Sequence, residues 1–422
     1  MANSRNKPSP ELTATVAAVL RRHVAARQRV VAGFSGGLDS VVLLHLLHQL
    51  QPQFGFSLAA LHVNHHLSPN ADNWARSCAE ICSAWEIPLQ IFPVDVAHDS
   101  GLGLEGAARR ARYAAFSQAD ADWLALAHQR DDQAETLLFN LLRGAGVRGA
   151  AAMPEVRVLR QESSTQGALR ILRPLLDLSR SVLEDYARRH GLGFVEDESN
   201  LDTRHGRNFL RHEIMPELRQ RFPGCDEALA RAAQHFGEAQ TLLDALAEID
   251  YQALATDDRI DVSGLAVLGE ARAKNLLRHY LHKHKLSPPN SVQLADWLNQ
   301  LLYAAADSRI ALDLEAATLH RYHDQIWLAR DQDAAPLQPL VWQGEEQVAW
   351  GGGRLIFTQT KGEGIASERL ARGQVTITRR QGGERLKLDA RRPCRTLKNL
   401  LQEARIPPWQ RERLPLLYCG EE

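Results

Sequence analysis

From residue 29 to about residue 128 the chain alternates short apolar runs with longer amphipathic stretches. The runs at 29–34, 57–63, 88–94 and 122–127 read as buried strands, and the stretches at 38–50, 71–86, 104–119 and 131–142 as helices. This βαβα alternation predicts an α/β fold with a doubly wound, Rossmann-like parallel sheet covered by helices on both faces. In such sheets ligands lie beyond the carboxyl ends of the strands. The conspicuous polar residues fall there: 35–40 after the first strand, 62–66 after the second and 128–135 after the fourth.

Beyond this region the pattern changes. Residues 154–172 read as a hairpin or irregular segment, 179–190 as a helix stopped by Gly191 and Gly193, and Cys225 to about 256 as one long Ala/Leu-rich helix. Two more helices are expected in 270–302, separated by Pro288-Pro289, followed by short strands over 308–330 and again between Gln338 and Thr360. The organisation expected is an N-terminal α/β domain over 1–222, a mainly helical domain over 223–335, and a linker with a small α+β domain over 336–422.

Composition narrows the class. The net charge of -1 argues against a wholly basic polyanion binder, yet from 369 to 413 thirteen basic residues stand against four acidic ones. Such a segment suits a polyphosphate partner such as RNA. The five cysteines contain no C-x-x-C pair, so neither a disulfide framework nor a zinc ribbon is expected. Cys78 and Cys82 read as small buried hydrophobes on a helix away from the strand ends. No run approaches the length of a membrane span, and a cytoplasmic location is expected.

Four constellations carry chemistry. Phe34-Ser35-Gly36-Gly37-Leu38-Asp39-Ser40 joins a strand to a helix, where glycines permit close backbone approach and the helix start offers unpaired N–H groups to a phosphate. It lacks the lysine of a P-loop, so it is a different phosphate cradle. His62, His65 and His66 crowd a strand end, where they suit the framing of a nucleotide better than a zinc ion. Glu105, Arg109 and Arg112 share one helix face, and guanidinium groups there would stabilise charge on a leaving pyrophosphate. Asp131, Asp132 and Glu135 open another helix, an oxygen-rich group of the kind that serves magnesium with nucleotide phosphates.

Taken in order, Ser35–Ser40, His62-Val63-Asn64-His65, Glu105…Arg109…Arg112-Tyr113, His128-Gln129…Asp131-Asp132…Glu135-Thr136, Arg173-Pro174-Leu175-Leu176, Glu196-Asp197…Ser199-Asn200 and Arg207-Asn208-Phe209-Leu210-Arg211 resemble the bacterial tRNA(Ile)-lysidine synthetases of the PP-loop ATP pyrophosphatase superfamily. The segment from Gly383 to Leu417 is similar to that family's last domain. The resemblance implies a two-step ligation of free L-lysine to C2 of cytidine 34 in the CAU anticodon of tRNA(Ile), through an adenylated base, releasing pyrophosphate and then AMP. It implies that Ser35, Gly36, Gly37, Leu38, Asp39, Ser40, His62 and Asn64 bind ATP, with Asp39 also holding Mg²⁺. Asp132 and Glu135 would receive the lysine ammonium or assist its deprotonation. Arg112, Arg207 and Arg211 would meet phosphate or the target base, with Asp131 and Arg109 also on the substrate side. Arg391, Arg392 and Arg395 would contact tRNA, and a homodimer is expected. One departure is His66, where the family usually has glycine. The competing reading is a tRNA thiolase on the same fold, which needs reactive cysteines near the nucleotide.

Overall fold

A computed structural model describes residues 12–66, 68–94, 103–159, 169–196, 198, 202–304, 310–330, 338–350, 353–362, 364–370, 373–387 and 393–420. The chain divides into two compact units, Met1–Leu242 and Leu243–Glu422.

The first unit runs α1 (Leu12–His23), β1 (Arg29–Gly33), α2 (Leu38–Phe54), β2 (Ser57–Asn64), α3 (Ala71–Ala84), β3 (Leu89–Pro93), α4 (Gly103–Phe116), β4 (Trp123–Ala125), α5 (Arg130–Leu142), α6 (Val147–Ala150), β5 (Val156–Leu159), β6 (Leu169–Leu172) and α7 (Arg180–His190). It continues through α8 (Gly206–Phe209), a π-helical turn (Leu210–Ile214), α9 (Met215–Arg221) and the start of α10 (Cys225–Leu254). The sheet order is β3-β2-β1-β4-β6-β5, all parallel except the antiparallel β5–β6 pair. β1 pairs with both β2 and β4, so the order reverses across β1 and β4 and opens a crevice beyond their carboxyl ends.

Strand periodicity assigns the two faces. Val30, Ala32, Trp123 and Ala125 pack with α1, α2, α3 and α7, whereas Val31 and Leu124 point the other way to Phe116 and Ala119 at the end of α4. α2 is apolar almost all round because it is buried on several sides, with Leu43, Leu44, Leu46 and Leu47 fully inside. Gly55 closes this helix in the left-handed conformation at φ 70°. The segments α1 and 206–221 are helical although the apolar pattern did not single them out.

The second unit takes up the end of α10 and continues with β7 (Ala255–Thr256), β8 (Arg259–Asp261), α11 (Val262–Val267), α12 (Glu270–Lys283), α13 (Ser291–Tyr303), β9 (Ile310–Leu314), β10 (Ala317–Tyr322) and β11 (Gln325–Arg330). Its helices pack on a five-stranded antiparallel sheet ordered β7-β8-β11-β10-β9. The expected long helix therefore ends at Leu254, and a tight β7–β8 hairpin follows with Asp257 and Asp258 at positive φ. Then come β12 (Leu340–Trp342), β13 (Gln347–Trp350), β14 (Gly353–Ile356), α14 (Ser367–Leu370), β15 (Val375–Arg379), β16 (Arg385–Leu386), β17 (Arg395–Thr396), α15 (Leu397–Glu403), α16 (Pro408–Arg411) and β18 (Pro415–Cys419). β15 is the centre of a three-stranded antiparallel sheet with β12 and β18. Within this unit Trp409 stacks on His320 at 4.0 Å, and the buried Arg411 donates to Tyr322 Oη at 2.8 Å. Among the described residues no helix is long and apolar enough to cross a membrane.

Candidate nucleotide and carboxylate site

The loop between β1 and α2 is built by its own hydroxyls. The Ser35 N–H donates to Ser40 Oγ at 3.3 Å, Ser40 Oγ donates to the Gly37 carbonyl at 2.9 Å, and the Ser35 and Ser40 hydroxyls lie 3.1 Å apart. Gly36 sits at φ 82°, and a Cβ there would stand 2.9 Å from Cys78 Sγ. Its carbonyl accepts from the Val195 N–H at 2.9 Å, which lays the segment after α7 along the loop. No side chain caps α2 at Gly37, so the first N–H groups of the helix keep their capacity for an anion. The Leu38 side chain faces the core and leaves only its backbone for a ligand.

His62 and Asn64 stand behind and beside this loop. Both are buried. His62 Nδ1 donates to the Phe34 carbonyl at 2.9 Å, and burial lowers its pKa against that bond. Asn64 donates to Asp72 at 2.9 Å and accepts from the His66 N–H at 3.0 Å. His66 has φ 51°, the left-handed conformation that glycine adopts most easily, so the histidine here holds a backbone shape that would suit glycine better. Cys78 is not away from the strand ends: it packs under Gly36, with its sulfur 3.5 Å from His62 Nδ1.

Asp39 is the unsatisfied member. Its Oδ1 is buried and has no hydrogen-bond partner among the described residues. Burial, with Asp132 and Asp131 nearby, pushes its pKa up to about 7, while Arg180 and Arg211 oppose the rise. A buried carboxylate oxygen without a donor, beside a phosphate cradle, has the chemistry of a ligand to a hard divalent cation. The residues therefore fit Mg²⁺.

Beyond β4, Gln129 and Asp132 cap α5 reciprocally: the Asp131 N–H donates to Gln129 Oε1 at 2.7 Å and the Gln129 N–H to Asp132 Oδ2 at 3.1 Å. The other Asp132 oxygen accepts from Arg211 at 2.8 Å and Arg207 at 3.3 Å. Glu135, 2 % exposed, accepts a bidentate pair from Arg211 at 2.8 and 2.7 Å. Burial works against the Arg211 cation, but Glu135, Asp132 and Asp39 outweigh it and hold its pKa above the arginine range. Arg211 lies within the π-helical turn, a local departure from α-helical winding often found at functional sites.

Asp131 leaves this group. It accepts from the Arg180 N–H at 3.3 Å and from Arg219 at 3.1 Å, and Arg219 also forks onto Asp226 at 2.7 and 2.9 Å. Arg180 and Arg219 were not singled out in the sequence, because they reach the site across long separations in the chain. On α4, Arg112 Nε donates to His65 Nε2 at 3.3 Å, and burial with Arg112 lowers the His65 pKa to about 4. Arg109 lies 5.2 Å over the Tyr113 ring. The side chain of Glu105 lies outside the described residues, as do Asp197, Ser199, Asn200, Arg391 and Arg392. Arg395 pairs with Glu403 at 2.8 Å, and Arg380 with Glu384 at 3.1 Å.

Comparison with known proteins follows the same division. A family model described as a PP-loop domain matches residues 9–218, one described as the TilS substrate binding domain matches 260–327, and one described as the TilS substrate C-terminal domain matches 375–422. The tRNA(Ile)-lysidine synthase of Aromatoleum aromaticum is 45% identical over 400 residues, 94% of this chain and 92% of that protein. That of Nitrosomonas europaea is 41% identical over 425 residues, 100% of this chain and 92% of that protein. That of Coxiella burnetii is 39% identical over 394 residues, 92% of this chain and 86% of that protein.

Proposed function

The chain belongs to the tRNA(Ile)-lysidine synthase family, and from that premise we propose how its first unit carries out the ATP-dependent ligation of lysine to tRNA(Ile). The observation that carries the proposal is the buried Asp39 Oδ1, without a hydrogen-bond partner among the described residues and within electrostatic reach of Asp132 and Arg211, which belong to the Asp132–Glu135–Arg207–Arg211 cluster. A phosphate cradle and a paired carboxylate group then serve one reaction centre.

In the first step the C2 oxygen of cytidine 34 attacks the α-phosphorus of ATP. A phosphorus–oxygen bond forms, the bond to the β-phosphate breaks, and pyrophosphate leaves. Ser35, Ser40 and the N–H groups at the start of α2 bind the phosphates, and Arg112 and Arg109 add positive charge from α4. Mg²⁺ held by Asp39 would neutralise phosphate charge. In the second step the lysine side-chain amine attacks C2, the carbon–oxygen bond breaks, and AMP leaves. The lysine ammonium must first lose a proton, and the carboxylates of Asp132 and Glu135 are the groups placed to accept it. Glu135 and Asp132 receive that ammonium, and without lysine the guanidinium groups of Arg207 and Arg211 balance their charge. As lysine takes over part of that role, Arg207 and Arg211 turn toward phosphate.

The thiolase reading is disfavoured by the state of its candidate thiols. Burial raises Cys78 to about 12 and Cys82 to about 11, so neither is a thiolate at neutral pH. The decisive assay is incorporation of labelled lysine into tRNA(Ile) bearing the CAU anticodon, with ATP and Mg²⁺. The expected result is incorporation that Asp39→Ala abolishes; transfer of sulfur, or no reaction with this tRNA, would overturn the reading.

A further inference from the structure

The five-stranded sheet of the second unit has two faces. Along β10 and β11, Leu319, Ile326 and Leu328 join the core under the helices, while His320, Tyr322 and Trp327 alternate to the opposite side. His320 stands directly across the ladder from Trp327. That side is covered as well, because Trp327 is only 8 % exposed. Arg259 of β8 lies 3.9 Å over the Trp327 ring. Trp409 of α16 stacks on His320 at 4.0 Å and 15°, and stands edge-on to Trp327 at 6.1 Å and to Tyr322 at 5.9 Å.

α16 holds that indole in place. Pro407 and Pro408 fix φ at its start. The buried Arg411 donates from Nη2 to Tyr322 Oη at 2.8 Å and from Nε to the Ile406 carbonyl at 2.5 Å, so one guanidinium ties the turn to itself and to β10. Trp350 of β13 donates to the Arg413 carbonyl at 3.1 Å, and β18 begins two residues later at Pro415. On the sheet, His320 Nδ1 donates to the Ile310 carbonyl at 3.3 Å, which orients its ring. The contact joins the region matched as a substrate binding domain to the region matched as a substrate C-terminal domain, across 89 positions of the chain.

We propose that Trp409 is the positioning residue that seats the C-terminal domain on the five-stranded sheet, so that both domains meet one tRNA at a fixed spacing. Two surfaces held in register bind as a unit. Surfaces joined only through a chain segment engage the second site at an effective concentration diluted by the reach of that segment. Trp409 acts inside the protein, through His320, and touches no nucleotide. Its loss weakens capture of tRNA and leaves the chemistry of the first unit unchanged. The inference rests on the ligase reading for its RNA, whereas the seat itself does not depend on it.

Lysine incorporation at varied tRNA tests the role. Trp409→Ala should raise the KM for tRNA about tenfold, with kcat at saturating tRNA within about twofold of wild type and the KM for ATP unchanged. Trp409→Phe keeps an aromatic face on His320 and should stay within about threefold of wild type. A loss in kcat as large as the change in tRNA KM, or a shifted KM for ATP, would overturn the proposal. His320→Ala should reproduce the tRNA effect, and the double variant should be no more than about twofold worse than Trp409→Ala, since both remove one contact. A silent His320→Ala, or effects that multiply, would make Trp409 a stacking platform for RNA and overturn the seat. In the free protein, the amides of Gln410, Arg411 and Arg413 are held by the Pro407 and Gln410 carbonyls. Their hydrogen exchange should quicken about tenfold in His320→Ala, a change made 89 or more positions away; unchanged exchange would refute the seat. Absence of lysine incorporation by the wild type would strike the ligase reading, and the exchange measurement would still judge the seat.

Discussion

Asp39, half-buried with one oxygen fully covered, and the buried Glu135 are carboxylates in opposite surroundings. Asp39 has an oxygen with no donor among the described residues and a pKa raised from 3.8 to about 7, so its ionised form burdens the metal-free fold. For a carboxyl raised in the folded state, the cost is absent below the unfolded pKa, grows as pH rises toward the folded pKa and is constant above it. Asp39→Asn should therefore unfold with more difficulty than wild type at about pH 8, by on the order of 2–4 kcal/mol, and the two should converge near about pH 4. Equilibrium unfolding in chelator checks this, and lysine ligation by the variant should be lost. Magnesium affinity of the wild type should fall as pH drops below about 7, because the proton competes for the same oxygen. Glu135 is held by the Arg211 fork, and Glu135→Gln should cost about 3 kcal/mol in urea unfolding and raise the KM for lysine about tenfold. An unchanged lysine KM would remove Glu135 from the amine site.

At the scale of elements, a loop and two helix starts generate the site. Gly36 has both reasons to be glycine: a left-handed φ and a sulfur where its Cβ would go. Gly36→Ala should cost about 1–2 kcal/mol and raise the KM for ATP, and adding Cys78→Ala should recover the steric part but not the backbone part. A double-mutant cycle in unfolding measures that split. The loop motif, its strand and its helix were legible because glycine, hydroxyl and apolar periodicity are local signals. The partners of the carboxylates were less so. The i,i+4 spacing of Arg207 and Arg211 marks a shared helix face, yet nothing local says that Asp132 and Glu135 are what it faces. Arg219 reaches Asp131 from 88 positions away, a separation no periodicity encodes.

For the whole molecule, the excess of basic residues after 369 overstates the charge available to RNA. Arg380 and Arg395 are paired with Glu384 and Glu403, and Arg411 is buried against Tyr322 and the Ile406 carbonyl. Replacing Arg391 and Arg392 with alanine should weaken tRNA binding and reduce the slope of log affinity against log salt by about 1 for each phosphate no longer neutralised. Arg395→Ala should change the slope less, because its charge is already partnered; equal effects would show that the Arg395–Glu403 pair opens on the RNA. Filter binding across a salt series distinguishes these results.

The sequence alone determined the alternating α/β order, the phosphate loop and the family, since each is written in neighbouring residues or in motif order. Tertiary structure decided which charges meet. It left Asp39 Oδ1 without a donor among the described residues, gave Asp132 and Glu135 to two arginines, sent Asp131 to Arg219, and brought Cys78 beneath the loop. The physical reason is that hydrophobic period and turn chemistry act over a few residues, whereas burial and ion pairing depend on which strand ends the sheet order brings together.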